Sequence, residues 1–201
     1  MVILLGVFSG FTWQCSETRD MEEENIEKVV VYQLLPRLFG NTITTNKSWG
    51  TIEENGVGKF NDIDHKALEA LNDFGVTHIW YTGVLHHAVI RDYLAYGISD
   101  DDPDVVKGRA GSPYAVKDYY NVNPDLAVDP ANRLEEFESL IRRTHRHGLK
   151  VIIDIIPNHV ARNYESISAP EGVNDFGADD DKSVVYDRDN NFYYLPGKPF
   201  I

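Results

Sequence analysis

The chain has 201 residues, 32 of them acidic and 19 basic, for a formal net charge of −13. Such an excess of carboxylates argues against a nucleic-acid partner, which requires a basic surface that releases counterions. With 42% hydrophobic and 25% charged residues the composition is that of a globular protein, and the single cysteine, Cys15, excludes an internal disulfide framework.

Met1 to Trp13 is a short apolar run. A membrane-spanning helix needs about 20 residues, so the run fits the apolar core of an export signal instead. The cysteine that follows resembles the acylation site of a bacterial lipoprotein, which makes Cys15 a candidate lipid anchor, although no Lys or Arg precedes the apolar run. The expectation is a leader over 1–15, an acidic linker over 16–28 containing Glu22, Glu23 and Glu24, and an exported mature chain.

Beyond the leader, strands and helices alternate. Val29 to Leu35 is a β-branched run of the kind a strand buried on both faces carries. After the polar loop from Pro36 to Asn61, Asp62 is placed to cap a helix whose apolar positions are Ile63, Ala67, Leu68, Leu71 and Phe74, closed by Gly75. Thr77 to Thr82 reads as the second strand. A second helix follows Asp129 and Pro130, presents Leu134, Phe137, Leu140 and Ile141 on one face, and ends at Gly148. Lys150 to Ile156 is the third strand. This order implies parallel βαβ units. Loops entering strands have two residues, Gly75-Val76 and Gly148-Leu149, whereas those leaving strands run to about 26 and more than 40. Parallel sheets carry their sites at the strands' carboxyl ends, so the long loops mark the functional side.

Three segments carry a family likeness. Asp154-Ile155-Ile156-Pro157-Asn158-His159-Val160 resembles the Asp-x-x-x-Asn-His signature of the α-amylase family of glycoside hydrolases, family 13. Residues 134–152, LEEFESLIRRTHRHGLKVI, are similar to the helix and glycine that precede that strand in the family. Ser112-Pro113-Tyr114-Ala115-Val116-Lys117-Asp118-Tyr119-Tyr120 resembles its aromatic-plus-Asp segment. Asp175-Phe176-Gly177 through Asn190-Asn191-Phe192-Tyr193-Tyr194 is similar to the domain that protrudes after strand three in bacterial members.

The resemblance implies a retaining hydrolase of α-1,4-glucans such as starch on a (β/α)₈ barrel, which typically needs about 250 residues. It assigns 29–156 to the first three strands and two helices and 157–201 to the start of an inserted domain, so the chain reads as an amino-terminal fragment. Retaining hydrolysis uses two carboxyl groups about 5–5.5 Å apart. The family's nucleophilic Asp, acid Glu and stabilising Asp belong to strands four, five and seven, so none is assigned here and the chain alone is expected to be inactive. By resemblance His159 bonds hydroxyls of the glucose at the cleavage point, Tyr114 stacks on that ring, and Asn158 is a ligand of a structural calcium. Asp118 and Asp154 read as structural carboxylates. Further calcium oxygens could come from Asp175, Asp179, Asp180 or Asp181. A transglycosylase or sugar isomerase of the family, or a non-catalytic glucan binder, are the alternative parents.

The remaining motifs carry less. His145 and His147 sit where a helix carboxyl end favours cations, with no further zinc ligands evident. His86 and His87 fall on the site side of strand two. Asp187 to Phe192 opens like an EF-hand loop, but Phe192 stands where glycine is required.

Overall fold

A computed structural model describes residues 28–198; the apolar leader, Cys15 and most of the acidic linker lie outside the described residues. Three parallel strands form the main sheet: β1 (Val31–Leu34), β2 (His78–Tyr81) and β5 (Lys150–Ile153), in the spatial order β1-β2-β5. The ladder runs Val31↔His78↔Lys150 at one end to Leu34↔Tyr81↔Ile153 at the other. Between these strands the chain forms a one-turn helix α1 (Ile52–Asn55), helix α2 (His65–Asp73), an antiparallel pair β3 (Leu85–His87) and β4 (Val116–Val122), and helix α3 (Arg133–Arg146). No helix among the described residues is long and apolar enough to cross a membrane.

The core lies between one face of the sheet and the two longer helices. Ile79 and Tyr81 alternate onto that face and are fully buried with Leu34, Ile63, Leu68, Phe137 and Leu140. Tyr81 keeps its hydroxyl satisfied at depth by a 2.7 Å bond with Thr144 Oγ1 of α3, and burial pushes its pKa up to about 12. Arg143 is also drawn in. Its Nε donates to Ile63 O and its Nη2 to Phe60 O, both at 2.8 Å, so it fastens the turn before α2 to α3.

Several boundaries differ from those expected. β1 is not buried on both faces: Leu34 is buried, Val31 on the opposite face is half exposed, and Tyr32, on the same face as Leu34, is half exposed as well. Asp64 caps α2, its Oδ1 accepting from Ala67 N at 2.8 Å, whereas Asp62 caps a short 3₁₀ turn through Lys59 N. Both aspartates can cap, and helical spacing alone does not choose between them. Phe74 therefore falls just past the helix and is 83% exposed. Asp129 and Pro130 open a 3₁₀ turn that runs into α3, which rotates Leu134 away from the core. The third strand stops at Ile153 because its ladder partner, β2, ends at Tyr81. Gly75 and Gly148 do close their helices at positive φ.

Replacing Arg143 with Leu leaves two buried carbonyls without a donor. Chemical denaturation should register a loss of about 1–3 kcal/mol.

Candidate carbohydrate site at the carboxyl ends of the strands

All three parallel strands release their chains at one end, and Gly83 is the point where those exits meet. Its amide donates to Asp154 Oδ1 at 3.2 Å, joining the exit of β2 to that of β5. A Cβ added at Gly83 would lie 2.8 Å from Pro113 Cβ and 3.3 Å from Leu35 Cδ1, and the residue has φ +72°. Only glycine meets both demands. The segment carrying Tyr114 thus sits over the ends of β1 and β2. Asp154 lies one residue past β5, where its carboxylate organises the exit of the neighbouring strand.

After β5 the chain lies along β4 and is fastened to it repeatedly. Ala161 N donates to Val116 O at 2.7 Å and Glu165 N to Lys117 O at 3.0 Å. The Tyr119 hydroxyl donates to Ile156 O and, at 3.5 Å, to His159 O. Asp118 is fully buried, and its two oxygens accept from Tyr120 N at 2.9 Å, Ser166 Oγ at 2.6 Å and Ile167 N at 3.1 Å. That carboxylate replaces water for three donors of an irregular chain, which is why 154–198 holds its course with no helix or strand of its own. Tyr119, Tyr164 and Phe176 close over the junction with ring centroids 5.0–6.1 Å apart. Tyr114 and His159 each lie two residues before the Val116–Ala161 bond, and both side chains are exposed. His159 Nδ1 bonds Asn158 Oδ1 at 2.9 Å.

A family model described as "Alpha amylase, catalytic domain" matches residues 33–189. The chain belongs to the α-amylase family. Its sheet and helices are accordingly a partial (β/α)₈ barrel. It is 28% identical over 139 residues to trehalose-6-phosphate hydrolase of Bacillus subtilis, covering 69% of this chain and 18% of that protein. It is 26% identical over 151 residues to maltase 1 of Drosophila virilis, covering 73% of this chain and 18% of that one. Among solved structures, an α-amylase from Lactobacillus plantarum aligns at 24% identity and a TM-score of 0.45 over 69% of this chain and 24% of that chain. The chain therefore spans about a fifth of the length of these relatives.

Within this α-amylase-family chain the oxygens considered for calcium are engaged elsewhere. Asp175 accepts from Ser166 N, Asp179 from Asn174 Nδ2, Asp181 from Ser183, and Asp180 from Asn191 N, Phe192 N and the Tyr194 hydroxyl. Among the described residues no three His, Cys, Asp or Glu side chains gather to hold a metal ion. Asn158 Oδ1 is itself bonded to His159 Nδ1 at 2.9 Å. His147 Nε2 instead meets His65 Nδ1 at 2.9 Å.

Two features were invisible in the sequence. The long excursion after β2 begins and ends in the β3–β4 pair, whose register is irregular between Leu85 and His87. It is braced by a buried ion pair, Lys117 Nζ to Asp101 Oδ1 at 2.9 Å. The second feature is Asp125, whose carboxylate accepts from Arg37 Nη2 at 2.5 Å and from the Tyr93 hydroxyl at 2.6 Å, while its carbonyl takes Lys59 Nζ at 2.6 Å. Burial raises the Asp125 pKa, but the Arg37 charge and the bonds from Arg37 and Tyr93 outweigh it and hold the group below the usual carboxylate range. A lone Asp within Asn-Pro-Asp carries no sign of partners 32 to 88 residues away.

His86 and His87 do not line the cleft. Both are buried within β3, His86 paired across the ladder with Asp118 of β4 and His87 against Ala110 O, 3.0 Å from its Nε2. Burial, reinforced by nearby cations, lowers their pKa values to about 3 and about 4.

Two outcomes follow. Gly83→Ala should lower stability by about 1–3 kcal/mol through strain at positive φ and the clash with Pro113, measured by denaturant titration. Folded pKa values below the ordinary 6.5 mean that the unfolded chain takes up protons first. Stability should therefore fall as pH drops from 6.5 towards 4, by up to about 1.4 kcal/mol per pH unit for each histidine, and His86→Leu should flatten that slope.

Proposed function

We propose that the chain supplies part of the sugar-binding floor of a retaining α-glucan hydrolase, with Tyr114 as the stacking platform and His159 as the hydrogen-bonding edge. The observation that carries this reading is the Val116–Ala161 bond, which joins the two loops at the carboxyl ends of the strands. A pyranose has C–H groups on its faces and hydroxyls around its rim. An exposed aromatic ring and an imidazole on two loops joined by the Val116–Ala161 bond would match the sugar without any formal charge. Two of the relatives are named for hydrolysing trehalose 6-phosphate and maltose, which supports an α-glucoside as the substrate class.

In this chemistry the chain's own residues bind and orient. Tyr119 positions His159 through the carbonyls of Ile156 and His159, and Asp118 holds the following loop against β4. Glycoside cleavage with retention needs a nucleophilic and an acidic carboxyl about 5–5.5 Å apart across the scissile bond. Asp154 does not offer one, since its Oδ1 is bonded to Gly83 N and its Oδ2 is buried. The chain by itself is a binder rather than a catalyst.

Titration calorimetry of the 201-residue chain with maltotriose should detect binding that Tyr114→Ala weakens by about tenfold or more and that His159→Ala weakens comparably, equivalent to about 1.4 kcal/mol each. Tyr114→Phe should retain most of it, because the ring face is kept. A reducing-sugar assay on starch should show no hydrolysis. Unchanged maltotriose affinity in Tyr114→Ala would remove this reading.

A further inference from the structure

A second recess lies apart from the sugar floor. It has a volume of about 370 Å³ and lies between the loop after β1, residues 50–56, and the excursion after β3, residues 90–92 and 109–110. Its size suits a small ligand. One wall is braced before any ligand arrives. Asn55 bonds both ways with the Lys47 backbone, at 2.7 and 2.9 Å, Asn41 Nδ2 donates to Asn55 O at 3.0 Å, and Glu54 Oε2 accepts from Thr51 N at 3.0 Å. The same wall is packed too tightly for added side chains: a Cβ at Gly50 would come within 2.4 Å of Asn55 Nδ2, and one at Gly56 within 2.1 Å of Asn41 Oδ1.

Three guanidinium groups, from Arg37, Arg91 and Arg109, face this recess with three carboxylates, from Glu53, Asp92 and Asp125. The charges balance on paper but not in how they are used. Arg37 and Asp125 are committed to each other at 2.5 Å. Asp92 is turned to its own loop, where Oδ1 accepts from Leu94 N at 3.0 Å. Arg109 spends only Nε, on Trp49 O at 2.8 Å, and among the described residues its Nη atoms have no hydrogen-bond partner and no carboxylate within ion-pair distance. Arg91 lies 5.6 Å over the Tyr93 ring and reaches only Glu53, loosely, at 3.6 Å, through a carboxylate that is 71% exposed. What remains for a ligand is two guanidinium forks and one weakly held carboxylate. Such forks match the geometry of phosphate and carboxylate oxygens, while Glu54, already bonded to Lys47, also feels the Arg109 charge.

We propose that this recess binds an oxyanion carried on a saccharide, a phosphate ester or a uronic carboxylate, gripped between Arg91 and Arg109. Its place connects it to the sugar floor, because Arg109 and Ala110 run directly into Ser112-Pro113-Tyr114. The anion site stands on its own geometry, and only the saccharide that bears the anion rests on the carbohydrate reading above. Glu53 then acts as a gate on affinity by competing with the ligand for Arg91.

The test is calorimetric titration of the 201-residue chain with glucose, glucose 6-phosphate, glucuronate and inorganic phosphate at low ionic strength. Glucose 6-phosphate or glucuronate should bind at least tenfold more tightly than glucose, and whichever leads identifies the anion. Arg91→Gln combined with Arg109→Gln should erase that advantage and leave glucose binding unchanged. Arg109→Lys should keep part of it. Glu53→Gln should tighten anion binding several-fold, a gain that misfolding cannot produce. Equal affinity for glucose and its anionic derivatives, or an anion preference that survives the double variant, overturns the inference and leaves the neutral-sugar floor intact. Phosphate held by the two arginines with no sugar bound at all keeps the anion site and removes the carbohydrate reading.

Discussion

Parallel pairing dictates the rest of this molecule. Because β1, β2 and β5 run in one direction, every chain that leaves a strand does so at the same end, and the slack between elements collects there. The opposite end needs only the two-residue entries Gly75-Val76 and Gly148-Leu149. The sheet is three strands wide and cannot by itself hold the long exits in place, since loops of irregular backbone have no ladder to satisfy their N–H groups. Something else must.

Aspartate does most of it. Asp118 and Asp125 are buried, Asp154 ties two strand exits together, and Asp175 and Asp180 accept backbone donors in the last segment. A carboxylate is short, carries two oxygens, and accepts several N–H bonds at once, which suits it to closing turns that glycine and asparagine only begin. The acidic composition thus has a structural share, beyond its effect on surface potential. Asp180 illustrates the electrostatic side. Partial burial raises its pKa, yet bonds from Asn191 N, Phe192 N and the Tyr194 hydroxyl prevail, and the group stays below the usual carboxylate range.

How much of this was legible in the sequence depends on the reach of each interaction. Periodicity located the two longer helices and three parallel strands, because an apolar stripe or run is a local signal, and the glycines that end the helices are equally local. Capping aspartates were recognisable as a type, but Asp62 and Asp64 compete two residues apart, and the local pattern does not distinguish Asp64, which caps α2, from Asp62, which caps the 3₁₀ turn before it. The segment 112–120 was singled out for its likeness to a family motif, yet its strand character was not, since VKDYYNV alternates poorly and its partner is three residues long. Asp125 and Tyr119 act on groups 32 to 88 and 37 to 40 residues away, and no window along the chain contains both partners.

The two surfaces at the strand exits follow different electrostatic logic. The exposed ring of Tyr114 and imidazole of His159 are suited to a neutral ligand, whose binding should respond little to salt. In the recess nearby, Arg91 and Arg109 leave donors unspent opposite a wall braced through Asn55 and Asn41, so an anion there would meet one face already ordered. On a protein of net charge −13, long-range attraction cannot bring such a ligand in, and discrimination must come from the short-range fork geometry alone. A site of that kind selects by shape and hydrogen bonding first and by charge second. That ordering is what an enzyme family built on neutral sugars would need in order to accept a charged one without capturing every passing anion.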